Sequence, residues 1–268
     1  MDNRRFLLCV GIAISLLAFD SCKAINVPSK GNCDPTDVSA SVAETGPEPV
    51  GITAVCPQAE LYLPDYPAFE DREAFYNDSI LYERGKEYRG TPRGEVALAD
   101  VSTSLEYYLS RFGEVMGVCL SKDSTAAVAA YVETTFAFAR SGISNAKNAY
   151  HRLRPYRHFG EPSGVPGRDM GFDAYQSYPS GHSVRAWAIA LALVAIDEEH
   201  QYEIIKTGYE LGESRVIVGY HYESDVEAAR LAASVAFARL VTDKYYMKLM
   251  DKAKSELDSL KAQMKTAI

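Results

Sequence analysis

The sequence predicts an all-α protein, and three observations carry that prediction. From about residue 67 onward, apolar residues recur with the helical period in one segment after another, separated by short breaks. No run alternates apolar and polar residues as a half-buried strand would. The composition, 268 residues with 47% hydrophobic and 24% charged, supplies the core of one domain or two small ones and excludes a disordered chain.

The N-terminus is set apart from the fold. Arg4-Arg5 precede a largely apolar run, Phe6 to Phe19, followed by small residues, which is the pattern of an export signal over residues 1–24. The run is short for a membrane span. Two processing routes fit: cleavage after Cys22-Lys23-Ala24, or lipid attachment at Cys22 behind Phe19-Asp20-Ser21. Both place the chain outside the cytoplasm, in the periplasm. Residues 25–60, rich in Pro, Ser and Gly, read as an extended N-terminal arm. In an oxidising compartment Cys33 and Cys56 could pair across it. Cys119 is left over, in the apolar run Val115 to Leu120, where burial as a small hydrophobe is expected.

The helical body, residues 61–268, follows. Expected helices run from Pro67 to Gly85, Glu95 to Phe112 and Ser124 to Arg140, with a fourth carrying Ser144 to Leu153 and ended by Pro155. A long Gly/Pro-rich connection comes next, with Gly160, Pro162, Gly164, Pro166, Gly167 and Gly171; loops of this length often serve a site. Ser180 stands where an N-cap belongs, and Val184 to Ile196 is apolar nearly throughout, as a core helix is. Gln201 to Val218 sets Ile205, Gly208, Tyr209 and Gly212 on one side, where a neighbour can approach closely. Gly219 stops it. Ser224-Asp225-Val226-Glu227 has the form of a capping box opening the helix Val226 to Val241. Tyr245 to Lys265 reads as an amphipathic surface helix.

The charge balance, 28 basic against 36 acidic residues and a net charge of −8, argues against partners that are nucleic acids or anionic lipid surfaces. The expected leader carries three basic and two acidic residues, so the remainder holds 25 against 34 and a net charge of −9. Any anion must therefore be bound by a local positive patch. No C-x-x-C or zinc-type spacing occurs, and no metal or cofactor site is predicted. Nor is there a phosphate loop of the G-x-x-x-x-G-K kind, an R-H-G, a D-x-D or a Cys-x5-Arg.

The chemistry concentrates in one region. All five histidines lie between His151 and His221, and Arg140 to Phe159 holds five Lys/Arg with no Asp or Glu. Three blocks stand out. In the first, Lys147 and Arg154-Pro155 are two helical turns apart, so both should reach from one helix face; an ammonium and a planar fork suit a tetrahedral oxyanion. In the second, Pro179-Ser180-Gly181-His182, a helix N-terminus offers free N–H groups to an anion, with a hydroxyl and an imidazole beside it. In the third, Ser214-Arg215, His221 and Asp225, the carboxylate four residues on can hold one ring nitrogen and leave the other as a nucleophile. Taken singly each block has a plainer explanation: a solvated helix face, a cap, a first-turn acid stabilised by the dipole.

Together they read Lys147-x6-Arg154-Pro155, Pro179-Ser180-Gly181-His182 and Ser214-Arg215-x5-His221-x3-Asp225. This resembles the tripartite signature of the type-2 phosphatidic acid phosphatase superfamily, which includes the vanadium haloperoxidases. Gly208 to Asp225, Gln176 to His182, Tyr82-Glu-Arg-Gly and Thr91-Pro-Arg-Gly further resemble the exported bacterial class A nonspecific acid phosphatases, over most of the chain. Gln176 and Ser183 depart from that group, which usually has Gly and Thr there; neither is a reactive position, and they bear on substrate preference.

The resemblance implies a single helical bundle and a metal-independent acid phosphatase acting on small phosphate monoesters. Lys147, Arg154, Arg215, Ser180 and the Gly181 N–H would hold the phosphoryl oxygens. His221, oriented by Asp225, would attack phosphorus to form a phosphohistidine, and His182 would serve as acid and then base. With histidines starting near pKa ~6.5, this implies an acid optimum and a bell-shaped profile. A lipid phosphate phosphatase, a vanadate-dependent haloperoxidase and a non-catalytic phosphate-binding domain are the alternatives. The natural substrate and the choice between monomer and homo-oligomer are left open.

Overall fold

The structure is a computed structural model describing residues 51–167 and 173–266, all within one compact unit. The expected leader, Cys22, Cys33, Gly171 and most of the expected arm lie outside the described residues. Among the described residues there are nine α-helices and no strand: α1 (Arg72–Tyr88), α2 (Pro92–Ala99), α3 (Leu105–Val115), α4 (Ala126–Tyr150), α5 (Pro155–His158), α6 (Gly181–Ile196), α7 (Gln201–Ile217), α8 (Glu223–Leu240) and α9 (Lys244–Thr266). The all-α expectation holds.

α6 is the hub, because apolar residues cover most of its circumference. Val184, Ala188, Ile189, Ala190, Ala192 and Leu193 are all fully buried, and the helix packs on α4, α7 and α8 at once. The alanines of α6 and α8 let the helix backbones draw together. Gly208 of α7 serves the same end: a Cβ there would stand 3.0 Å from that of Ala190. α9 closes the far side of α4, whereas α1, α2 and α3 pack on α7. A smaller apolar cluster, Ala97, Val101, Tyr156, Val165, Ile217, Val218 and Tyr220, lies beneath the loops between α2, α5 and α7.

Several boundaries differ from the sequence expectation, each for a local reason. α1 starts at Arg72, not Pro67, because Asp71 caps it by accepting from Ala74 N. It also runs past Gly85, whose missing side chain admits the α7 backbone; a Cβ would be 3.1 Å from Val216 O. The expected helix Glu95–Phe112 is two helices. Thr91-Pro92 opens α2 and Ser104 caps α3, and between them buried Asp100 accepts from Tyr107, Arg111 and Ser214. Conversely, the expected helices 124–140 and 144–153 are one, α4, ending at Tyr150 with His151 in the left-handed conformation (φ 46°). Pro155 does not end that helix; it opens α5 at the first position, where a missing N–H costs nothing. The Ser224–Glu227 capping box does not form. α8 begins one turn earlier, and it is the Asp225 carboxylate that accepts from the N-cap Tyr222 N–H.

The described end of the arm lies on the body. Asp243 accepts from Thr53 N, Thr53 Oγ1 and Ala54 N, and Cys56 packs buried against Gly142. Cys56 and Cys119 are free thiols, and Cys119 is exposed rather than buried, since its neighbours Val118 and Leu120 take the inward positions.

Candidate active site

The N-terminus of α6, the C-terminal half of α7 and the start of α8 meet the segment 147–154, and the eight residues singled out by the sequence come together there. Contrary to the expectation from their spacing, Lys147 and Arg154 do not share a helix face. Lys147 reaches from the last turn of α4, while Arg154 lies beyond the left-handed turn at His151, as the N-cap of α5. Backbone carbonyls of the 173–179 segment bring them together instead. Gln176 O accepts from Lys147 Nζ at 2.9 Å and Arg154 Nη2 at 3.1 Å. Pro179 O takes a second Lys147 bond, and Asp173 O and Tyr220 O take two more from Arg154.

Ser180 caps α6, its Oγ accepting from Ser183 N and Ser183 Oγ. Both bonds are accepted, so they do not use the hydroxyl hydrogen. Gly181 is the first residue of α6, and only the Lys147 side chain, with Cε 3.7 Å from where a Cβ would stand, comes near it. The first N–H groups of α6 therefore share a space with Lys147. Arg215 enters from α7, stacked over Tyr220 at 5.2 Å and buried, with Nε and Nη1 lacking a hydrogen-bond partner among the described residues. A buried guanidinium with uncommitted donors is suited to a bound anion, which would satisfy them.

His221 is 2% exposed. Its Nδ1 lies 2.9 Å from Ser177 O and 3.4 Å from Asp225 Oδ2. A carbonyl only accepts, so Nδ1 carries the hydrogen and Nε2 the lone pair; Arg154 Nη1, 3.2 Å from Nε2, donates to it. His182 stands on the first turn of α6 with Nε2 3.3 Å from Val101 O, in the loop between α2 and α3. The other three histidines are elsewhere engaged: His151 stacks on Tyr175, His158 on Phe69, and His200 bonds Asp197.

Burial and mutual repulsion set the protonation states. Burial, aided by Arg154, pulls Lys147 down to about 7. Arg215 falls to about 10 through burial, with Arg154 acting in the same direction. Burial, with Arg154 and Lys147 adding to it, lowers His221 to about 3, against the opposing pull of Asp225. His182 is lowered well below the usual histidine value by burial, then by Arg215 and His221. Every basic group in the pocket, Arg154 included, is thus shifted toward its neutral form, first by burial and then, for all but Arg154, by the neighbouring cations. Asp225 goes the other way: burial pushes it up, but Arg152 and His221 hold it well below the carboxylate range.

Three participants, Ser177, Arg152 and Asp78, escaped the sequence in the roles they take. Ser177 holds Asp225 Oδ2 through its hydroxyl (2.6 Å) and His221 through its carbonyl. Arg152, counted with the anion-binding run, turns away from the pocket and binds Asp225 and Asp78. Nothing in the spacing of Arg152 and Arg154 tells the two apart. As for metals, Asp197, Glu199 and His200 are one group of suitable ligands among the described residues, but the Lys261 ammonium sits among them, 2.7 Å from Asp197.

Comparison with known proteins identifies the family of the chain. Residues 125–249 match the PAP2 superfamily. The chain is 37% identical over 70% of its length to a non-specific acid phosphatase of Providencia stuartii, covering 76% of that protein. It is 32% identical over 75% of its length to a non-specific acid phosphatase of Salmonella typhi, covering 80% of it. A shorter stretch, 38% of the chain and 44% of the relative, is 35% identical to a lipid A 1-phosphatase of Rhizobium etli.

Proposed function

Because the chain belongs to the PAP2 superfamily, we propose that this pocket is the active site of an acid phosphatase that cleaves phosphate monoesters through a phosphohistidine at His221, without a metal ion. Its kinship with acid phosphatases makes the chain a phosphoric monoester hydrolase. The observation that carries the mechanism is the His221 tautomer: Nδ1–H bonded to Ser177 O leaves the Nε2 lone pair facing the cationic side of the pocket.

The phosphoryl group takes its oxygens to Lys147, Arg154, Arg215, Ser180 and the Gly181 N–H. Nε2 of His221 attacks phosphorus, the ester P–O bond breaks in line, and His182 passes its proton to the departing oxygen. Water then attacks the phosphohistidine, His182 takes its proton, the P–N bond breaks and phosphate leaves. Three cations and a helix N-terminus offset the charge on the transferring group, the task a metal performs in other phosphatases. Asp225 steadies the positive charge that the ring acquires once Nε2 is bonded to phosphorus.

Arg4-Arg5 and the apolar run behind them support export to the periplasm, with lipid attachment at Cys22 as the alternative. Among the described residues no helix is long and apolar enough to cross a membrane. Small phosphate monoesters are the proposed substrates on the strength of the likeness to non-specific acid phosphatases.

The test is hydrolysis of an aryl phosphate by the purified protein. Turnover should persist with a chelator and disappear as vanadate is titrated in. Loss of activity to the chelator overturns the metal-free mechanism. Vanadate-dependent bromide oxidation in place of hydrolysis, or a preference for dispersed lipid phosphates, overturns the substrate assignment.

A further inference from the structure

We propose that Asp78 and Arg152 form a buried positioning pair that sets the orientation and charge of Asp225, and through it the rate at which His221 is phosphorylated. This rests on the reading of His221 as the nucleophile.

Arg152 is 0% exposed. Its guanidinium is clamped between two aromatic rings, 4.7 Å from the Tyr66 centroid and 4.2 Å from that of Tyr222. With both faces covered, its polar contacts lie in its plane, and the two ends of the fork take two different carboxylates. Nη1 donates to Asp225 Oδ1 at 2.6 Å and Ser224 Oγ at 2.7 Å; Nη2 donates to Asp78 Oδ2 at 2.7 Å. Asp78, from α1, is itself buried and accepts from Ser224 N and Ser224 Oγ. The Arg152 main chain closes the circuit, its carbonyl accepting from Ser177 N.

This geometry assigns one oxygen of Asp225 to each side. With Oδ1 engaged by Arg152, Oδ2 faces Ser177 Oγ, Tyr222 N and His221 Nδ1. The charge count matters as much. Two carboxylates on one guanidinium leave one net negative charge behind the His221 ring. On its other side Arg154 Nη1, 3.2 Å from Nε2, opposes any positive charge on the ring, as does Lys147. The ring becomes positive when Nε2 bonds to phosphorus, so the excess negative charge on the Asp78–Arg152–Asp225 chain lowers the barrier to that step. Without the Asp78 charge, Arg152 neutralises Asp225 alone and the excess disappears. The pair touches neither phosphate nor the attacking nitrogen, and it acts through Asp225.

The experiment uses the full chain and the variants Asp78→Asn, Arg152→Lys and Ser224→Ala, with an aryl phosphate and rapid acid-free quenching to trap the phosphohistidine. In Asp78→Asn the rate constant of phosphoenzyme formation should fall roughly tenfold or more, as when an outer partner of a working histidine is removed. The fraction of molecules that bind inorganic phosphate, and their affinity for it, should stay at wild-type values. In Arg152→Lys, a single ammonium cannot span both carboxylates, and formation should slow similarly. In Ser224→Ala all charges remain and the slowing should be smaller. A merely structural role would reduce the fraction of molecules that bind phosphate and leave the rate constant of formation untouched, and that result overturns the inference. If Asp78→Asn fails to fold, the rate constants of the other two variants decide, with wild-type values in both overturning it. Absence of phosphohistidine in the wild-type protein would instead overturn the nucleophile assignment, and this inference with it.

Discussion

His221 Nδ1 is closer to the backbone carbonyl of Ser177, at 2.9 Å, than to Asp225 Oδ2, at 3.4 Å. The main chain therefore fixes the tautomer, and the carboxylate chiefly supplies charge. His221→Ala should abolish both turnover and phosphoenzyme. Asp225→Asn should keep the ring oriented and lower kcat by roughly 10²- to 10³-fold, less than the ~10⁴ found where a carboxylate alone sets the tautomer of a catalytic histidine. It should also cost about 1–3 kcal/mol of stability, because the amide nitrogen must face a donor, either Arg152 or the Tyr222 N–H. Steady-state kinetics and thermal melts check both, and a loss equal to that of His221→Ala would show that Asp225 does more than supply charge.

The sequence places both histidines near ~6.5, but in the folded protein burial holds both lower. For His221 this suits a nucleophile, neutral throughout the acid range. For His182, the proton donor, it implies that the proton arrives with the substrate. A bound phosphoryl anion offsets Arg215 and raises His182, so binding should take up protons between the two values. Calorimetric titration of inorganic phosphate at pH 5 to 6, in buffers of different ionisation enthalpy, should register that uptake and lose it in His182→Ala. Uptake that persists in the variant would remove His182 from the role.

The same shifts govern stability. The folded-state values of His182 and His221 lie below the unfolded value of ~6.5, so on acidification the unfolded chain binds protons first and stability falls. For Asp225, also depressed, the stabilising contribution is present above the unfolded carboxylate value of ~3.9 and is lost below it. The ligand-free protein should therefore lose stability progressively from about pH 6.5 downward, more steeply below about pH 4. Saturating inorganic phosphate should restore much of the loss. A melting temperature that rises on acidification without phosphate would contradict this.

The two described cysteines should behave oppositely. Cys119 is exposed and should react with a maleimide in the native protein. Cys56 is buried and pushed up to about 11, chiefly by burial, and should react only after unfolding. A Cβ on Gly142 would stand 2.7 Å from both Cys56 Sγ and Pro57 O. Gly142→Ala should thus cost about 1–3 kcal/mol through overpacking and expose Cys56 to the reagent, as peptide mapping would show. Recovery of Cys56 in a disulfide with Cys33 would revive the pairing that the sequence allows.

Much of the helical body was legible beforehand because its signals are local. The apolar continuity of Val184 to Ile196 and the Ser180 cap gave α6 nearly to the residue. Legibility failed where glycine admits a neighbour instead of ending a helix, as at Gly85 and Gly142. It failed also where Asp225, one residue past the apparent cap, outcompeted Ser224 because Ser224 was drawn to Asp78.

The sequence alone determined the helical class and the three blocks whose residues meet in the pocket, since helix period, capping and side-chain chemistry are properties of short stretches. Only the tertiary structure decided which cation faces the pocket and which lies behind it. Arg152 and Arg154 are two residues apart, yet one finds Asp78, 74 positions away, while the other finds the Tyr220 carbonyl, 66 positions away. A charge in water has no fixed partner; once buried it must have one, and packing between distant segments selects it.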